Sequence, residues 1–261
     1  MQLTVRYDAE ARTYGDCWTP VLHPMSCRLV WEFPDDPVER VLDLGAGTGS
    51  LLPVLREKFS GAVVIGADRS RGMLERAGSQ SPLAAMDACS SGFRDGAFDV
   101  TVMAFVLFHL PDPVVGLSEA RRVLCPGGKL GLTTWANDAA SRAAEIWDEE
   151  LIAHGAIAPE EVARIAQHDL MDSTEKVEGL LAAAGFVSTR AEIHEFTHRI
   201  QLDDFIRLKT GVGSSAQRLE SIGPGNEQKF LASARQRLSA LSAADFTMQM
   251  SIVFAFANAP G

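Results

Sequence analysis

Three carboxylates and a run of glycines stand where they could hold a nucleotide-like ligand. The segment Asp43–Leu44–Gly45–Ala46–Gly47–Thr48–Gly49–Ser50 overlaps the end of a short apolar run, Val41–Leu44, and a helical pattern opens at Leu51. Glycines at a strand-to-helix turn let the backbone approach a ligand closely, and N–H groups at the helix start favour polar or negative ligand atoms. The spacing is GxGxG, and Ser50 stands where the dinucleotide fingerprint GxGxxG has its third glycine. Asp43 is costly in a buried strand end unless it accepts hydrogen bonds. It either ties down the turn or orients an ammonium group, directly or through water. Asp68, nineteen residues after Gly49, closes the run VVIGAD. An acid at that tip can accept both hydroxyls of a ribose, in a dinucleotide or an adenosine cofactor; the alternative is a helix cap, a role open to Ser70 as well. Asp87, in Met86–Asp87–Ala88, can take the exocyclic amine of adenine.

Histidines offer proton transfer. His109, in FVLFHLPDP, is a candidate general base for a hydroxyl or amine nucleophile, with a positioning or packing role as the alternative. His23 and His168 lie in stretches expected to roof the site and are further candidates. His194–Glu195–Phe196–Thr197–His198 spells HExxH, the zinc-protease signature, which works only on a helix. This stretch follows an AGF turn and reads as a strand, where residues four apart lie about 13 Å apart along the chain, so no metal site is expected. Cys125 precedes a Pro–Gly–Gly turn between a helix and a strand and is expected to be inert.

These groups need a sheet to place them. Short apolar runs at Val41–Leu44, Ala62–Ala67, Leu83–Met86, Phe98–Leu107 and Lys129–Trp135 alternate with helical patterns at Leu51–Phe59, Arg71–Ala77 and Pro113–Leu124. That alternation predicts βαβ units around a parallel sheet. Beyond Trp135 the spacing predicts helices over about 138–168, 173–184, 202–211 and 226–243, with strands from Val187 to about Phe196 and over Gln249–Ala257.

The segments VLDLGAGTG, VIGADRSRGML, MDACSSGFRDGAFDVTVMAFVLFHLPDP and EARRVLCPGGKLGLTTW, in this order over 41–135, resemble the class I S-adenosylmethionine-dependent methyltransferases. The likeness is to the small-molecule branch (type 11) that includes the quinone-biosynthesis C-methyltransferases. A weaker match, LLAAAGF, extends it to 186. The resemblance implies an α/β fold: a Rossmann-like, seven-stranded, mostly parallel sheet with the last strand antiparallel, flanked by helices. Residues 1–40 would be an N-terminal helical cap and 41–261 the methyltransferase domain, with helical lid insertions at about 138–168 and 200–243. It implies that Gly45, Ala46 and Gly47 cradle the methionine end of S-adenosylmethionine, that Asp68 holds the ribose, that Arg69 and Met73 flank the adenine, and that Asp87 and Ala88 read its edge. The backbone carbonyl of Ala104 would meet the cofactor's ammonium. YDAEARTY looks like the family's N-terminal helix, whose second tyrosine, here Tyr14, closes over the cofactor carboxylate. S-adenosylhomocysteine would be the product. Tyr14, Trp18, Phe105 and Phe108 are candidates to face the sulfonium.

The net charge of −10 argues against nucleic acid as the partner, and no NPPY-like segment follows the fourth strand. No window is long and apolar enough to cross a bilayer, no secretory leader is legible, and the four cysteines form no framework, so a soluble, cytoplasmic monomer or homodimer acting on a small-molecule acceptor is expected. Trp18, Trp31, Trp147, Phe205 and Phe230 favour an aromatic or hydrophobic acceptor; an anionic one would call for Arg164, Arg207 and Arg218 at the pocket. The competing readings are an NAD(P)-dependent oxidoreductase, against which Ser50 and the lack of a Tyr-x-x-x-Lys pair count, and a non-catalytic cofactor-binding protein.

Overall fold

The structure is a computed structural model and describes residues 2–78, 80–137, 139–157, 169–211 and 213–261. Helices α1 (Gln2–Cys17) and α2 (Thr19–Trp31) lead into β1 (Arg40–Leu44), α3 (Leu52–Lys58), β2 (Val63–Asp68), α4 (Arg71–Arg76), β3 (Leu83–Ala85), β4 (Phe98–Ala104), α5 (Pro113–Val123) and β5 (Leu124–Trp135). Two of the expected strands end elsewhere. β4 stops at Ala104 because Phe105 turns into the left-handed region, with φ 58, and Leu107–His109 forms a 3-10 turn. β5 begins ahead of its Pro–Gly–Gly turn: Leu124 already pairs with Phe98, and the register shifts before Lys129 meets Val100.

Beyond Trp135 follow α6 (Arg142–Ala153), α7 (Thr174–Ala183), β6 (Val187–Arg199), α8 (Leu202–Gly211), α9 (Ser214–Ser221), α10 (Pro224–Ser239) and β7 (Thr247–Asn258). The sequence does not announce α9. It is mostly polar, with Ala216 and Leu219 as its buried residues, and left-handed Gly213 and Gly223 bracket it. Of the helix expected over 138–168, α6 is seen, capped by Ser141, whose Oγ accepts the Ala144 N–H at 3.1 Å; residues 158–168, with Arg164 and His168, lie outside the described residues.

The strands run in the order β3-β2-β1-β4-β5-β7-β6. β1 to β5 are parallel, and β7 is antiparallel to both β5 and β6. This is the mostly parallel seven-stranded sheet, with its last strand antiparallel, that the family resemblance implies. Both faces are covered, which explains the near-continuous apolar runs. Val41, Val102, Ile252 and Phe254 join the core built with α2, α3 and α6, while Leu42, Leu132, Val253 and Ala255 join the one built with α5 and α7. The strand order reverses between β1 and β4, and in open α/β sheets ligands bind outside the carboxyl ends of the strands at that reversal. Asp43, Asp68 and Ala104 all stand at those ends.

Helix α1 is fastened beside this crevice. The Asp8 carboxylate accepts the Ser70 hydroxyl at 2.6 Å and the Gly72 N–H at 3.0 Å, so α1 supplies an acid to the start of α4. These bonds, the Ser70 one foremost, hold the Asp8 carboxyl below the usual carboxylate range. The approach requires glycine: a Cβ on Gly72 would lie 2.6 Å from the Asp8 carbonyl oxygen. In Gly72→Ala, hydrogen exchange and proteolysis within α1 should speed up while global unfolding shifts by under about 1 kcal/mol. An equally protected α1 would contradict this docking.

Candidate active site

At the reversal point lies a cleft of two lobes that meet at Tyr14, Gly45, Gly47, Ala104 and Phe105. The larger lobe leaves about 710 Å³ of empty space and the smaller about 460 Å³, counting space that opens to solvent. The strand ends form the floor, and α1 and α2 form the roof.

The glycine turn itself is tied down. Gly45 and Ala46 N–H both donate to the Ala67 carbonyl, at 2.7 and 2.9 Å, and Gly49 N–H donates to the Ala46 carbonyl at 2.8 Å. Gly47 N–H donates to Asp68 Oδ2 at 2.9 Å. At these four positions the turn therefore offers backbone surface and close approach, not a ring of unused N–H groups. Gly47, with φ 54, has nothing within 4 Å of where a Cβ would be, so its face is open for a ligand.

The larger lobe is apolar around one acid. Met73, Met86, Ala88, Val106 and Leu110 line it with Asp68, Arg69 and Ser70. Asp68 spans the turn and the start of α4, because its Oδ1 also accepts the Ser70 N–H at 2.8 Å. Burial pushes its carboxyl up, against the pull of those backbone donors. Ser70, not Asp68, caps α4 through its Oγ on the Met73 N–H at 3.1 Å. Asp87 stands between two lining residues and accepts the Cys89 N–H at 2.8 Å.

The smaller lobe is polar. Thr19, His23 and Ser26 of α2 face Asp43, Thr48 and Ser50 across it. Asp43 is 2% exposed, and its Oδ2 finds no hydrogen-bond partner among the described residues. Burial, and then the charge of Asp68, push its carboxyl up to about 7. A buried, unpartnered carboxylate is unfavourable, so this lobe is built for a donor, above all a cation.

Where the lobes meet, Tyr14 packs edge-on against Tyr7, with ring centroids 5.8 Å apart. Burial, then Asp68, push its phenol up to about 12, so it stays neutral. Tyr7 donates to or accepts from His109 Nε2 at 3.1 Å, which links α1 to the end of β4. Phe105 keeps its left-handed backbone at this junction, a conformation that costs a bulky residue about 1–3 kcal/mol and persists only where surroundings hold it.

Among the described residues, none beyond Leu110 lines the cleft. Trp147, Phe205 and Phe230, expected near an acceptor, are instead fully buried against one another, with Trp147 Nε1 donating to Ser215 Oγ at 2.8 Å. Arg218 pairs with Asp148 at 2.8 Å and Arg207 with Asp204 at 3.2 Å, so neither serves the cleft. HExxH lies on β6, with His194 opposite Ile252 and His198 opposite Met248. The sequence reading missed Thr19 and Ser26. Their signal was the spacing 19, 23, 26, which places them with His23 on one face of α2.

Residues 42–132 match the family model described as "Methyltransferase domain". That match covers about a third of the chain. The domain's relatives include a demethylmenaquinone methyltransferase of Thermus thermophilus, 40% identical over 99 residues, or 35% of this chain and 45% of that protein. They also include the aklanonic acid methyltransferase DauC of a Streptomyces species, 32% identical over 142 residues, or 51% of this chain and 64% of that protein. The chain thus spans about half the length of the curated relatives it matches. A solved phosphoethanolamine N-methyltransferase 2 of Haemonchus contortus superposes with a TM-score of 0.57 at 19% identity, covering 97% of this chain and 58% of that one, and so extends the shared fold well beyond the methyltransferase domain.

Proposed function

We propose that the chain is an S-adenosylmethionine-dependent methyltransferase that acts in the cytoplasm and moves a methyl group to oxygen, nitrogen or carbon of a small organic acceptor. The observation that carries this reading is the division of the cleft: an apolar lobe with a diol-accepting acid, Asp68, joined to a polar lobe with an unpartnered buried acid, Asp43. An adenosine joined to a cationic amino-acid tail is complementary to both. Met73, Met86 and Ala88 would pack the adenine with Arg69 over it, Asp68 the ribose, and Asp43 with the Ala104 carbonyl the ammonium.

When bound, the cofactor supplies an electrophilic methyl on a sulfonium. The chain's own task is alignment and exclusion of water, because the transfer is an in-line displacement. Tyr14 and Phe105, at the junction of the lobes, offer aromatic faces to a cation held there. His109, held by Tyr7, stands at the rim of the same lobe as the candidate base for a hydroxyl or amine acceptor.

Dinucleotide binding fits less well. A pyrophosphate over the turn would find the Gly45, Ala46, Gly47 and Gly49 N–H groups already donated, and the unpartnered Asp43 below them. The relatives named for demethylmenaquinone and aklanonic acid support a small aromatic acceptor. Incubation with methyl-labelled S-adenosylmethionine and a panel of hydroquinones and phenolic acids should yield labelled product and equimolar S-adenosylhomocysteine. Cofactor binding without transfer to any member of a broad panel would favour a non-catalytic role.

A further inference from the structure

The sheet ends in an edge that is closed over one half and open over the other. β6 lies outermost and pairs with β7. Ile200 N–H, just past the strand, donates to the Phe246 carbonyl, and the register runs unbroken from Arg190 to Arg199. Even-numbered residues therefore turn their N–H and C=O groups to β7, and odd-numbered ones turn theirs outward. The first half of that outer edge is blunted in two ways. A register shift with Ser188 in the left-handed region, φ 52, bends its start, and Ala191 N–H donates to Glu178 Oε1 of α7 at 3.1 Å. Beyond Ala191, no described residue hydrogen-bonds the outward backbone groups of Ile193, Glu195, Thr197 or Arg199, and all four residues are exposed.

An open edge is a template for another strand, and the residues along this one fit a second copy of themselves. Antiparallel pairing sets residues of the same facing opposite each other, so a two-fold axis can pass between one residue and its copy. Centred on Ile193 or on His194, the pair would need the Ala191 N–H that Glu178 holds. Centred on Glu195, it would set like charges face to face. Centred on Phe196, it would oppose no unlike charges. Centred on Thr197, it sets threonine opposite threonine and Glu195 opposite Arg199 on both sides of the axis, and it uses N–H groups that are all open. Glu195 is already fixed on that face, where its Oε2 accepts the Ser251 hydroxyl at 2.8 Å. We propose that two copies of the chain associate through this edge, the Glu195–Arg199 segments of their β6 strands pairing antiparallel about Thr197 and joining the two sheets into one.

A strand pair this short falls below the roughly 1,200 Å² of a standard interface, so the dimer is of the weak class, and sedimentation velocity over about 1–500 μM should show monomer giving way to dimer. Glu195→Arg sets an arginine against Arg199, and Arg199→Glu sets a glutamate against Glu195. Each should weaken association by at least about tenfold. The double variant restores both pairs with their signs exchanged and should recover the dimer, a rescue that neither the lost Ser251 contact nor a folding defect would allow. Thr197→Pro removes an outward N–H that β7 does not use, so it should keep the fold by circular dichroism and abolish the dimer. Wild-type protein still monomeric at about 500 μM, a double variant no more associated than the single ones, or a folded Thr197→Pro protein that dimerises as tightly as wild type would each overturn the proposal.

Discussion

Asp68→Ala is expected to weaken S-adenosylhomocysteine binding by at least about tenfold, or 1.4 kcal/mol. The carboxylate does two jobs at once. Its oxygens accept the Gly47 N–H at 2.9 Å and the Ser70 N–H at 2.8 Å, so it pins the glycine turn to the start of α4. Its remaining lone pairs face the larger lobe, where they can accept ribose hydroxyls. Removing it leaves two N–H groups short of a partner, at about 1–3 kcal/mol for each that stays buried, and loses the ribose contacts as well. Stability measured by chemical denaturation should therefore fall together with affinity. Asp68→Asn retains one acceptor oxygen and should fall between the two. Unchanged affinity in Asp68→Ala would refute the ribose assignment.

Asp43→Asn should move stability and affinity in opposite directions. The folded protein holds the Asp43 carboxyl at about 7, against 3.8 for an unhindered aspartate. The folded chain therefore keeps its proton where the unfolded chain has lost it. Stability contributed by this site is greatest at acid pH, declines as pH rises from about 4 and is lost above about 7. The isosteric amide has no charge to bury, so at pH 8 the variant should be more stable than wild type, by up to about 4 kcal/mol, and at pH 4 the two should agree. Ligand binding runs the other way. A cation beside Asp43 favours its charged form, so wild-type affinity for S-adenosylhomocysteine should gain from raising the pH from 6 to 8, and the amide should lose that gain. His23 is present in both proteins, so the difference between them isolates Asp43. A variant less stable than wild type at pH 8, or an identical pH dependence of binding, would contradict this account.

The sequence makes the sheet and the residues at its strand ends legible because both depend on local pattern. Parallel strands buried on two faces read as apolar runs, and the glycine turn, Asp68 and Ala104 fall at their ends. The roof was less legible, since it depends on where distant segments meet. Tyr7 reaches His109 across 102 positions. The docking of Asp8 on Ser70 and Gly72 spans 62 and 64 positions. The aromatic residues after Trp135 look like a pocket lining in sequence, yet Trp147, Phe205 and Phe230 form a core of their own. The use of the Gly45 and Ala46 N–H groups by Ala67, and the left-handed turn at Phe105, are consequences of the assembled sheet that no spacing reveals.

The most direct test of the central claim is calorimetric titration of the folded wild-type protein with S-adenosylmethionine and, separately, with NADH. One equivalent of S-adenosylmethionine should bind in the micromolar range with no response to NADH; NADH binding in its place, or no binding of S-adenosylmethionine at millimolar concentration, would contradict the account.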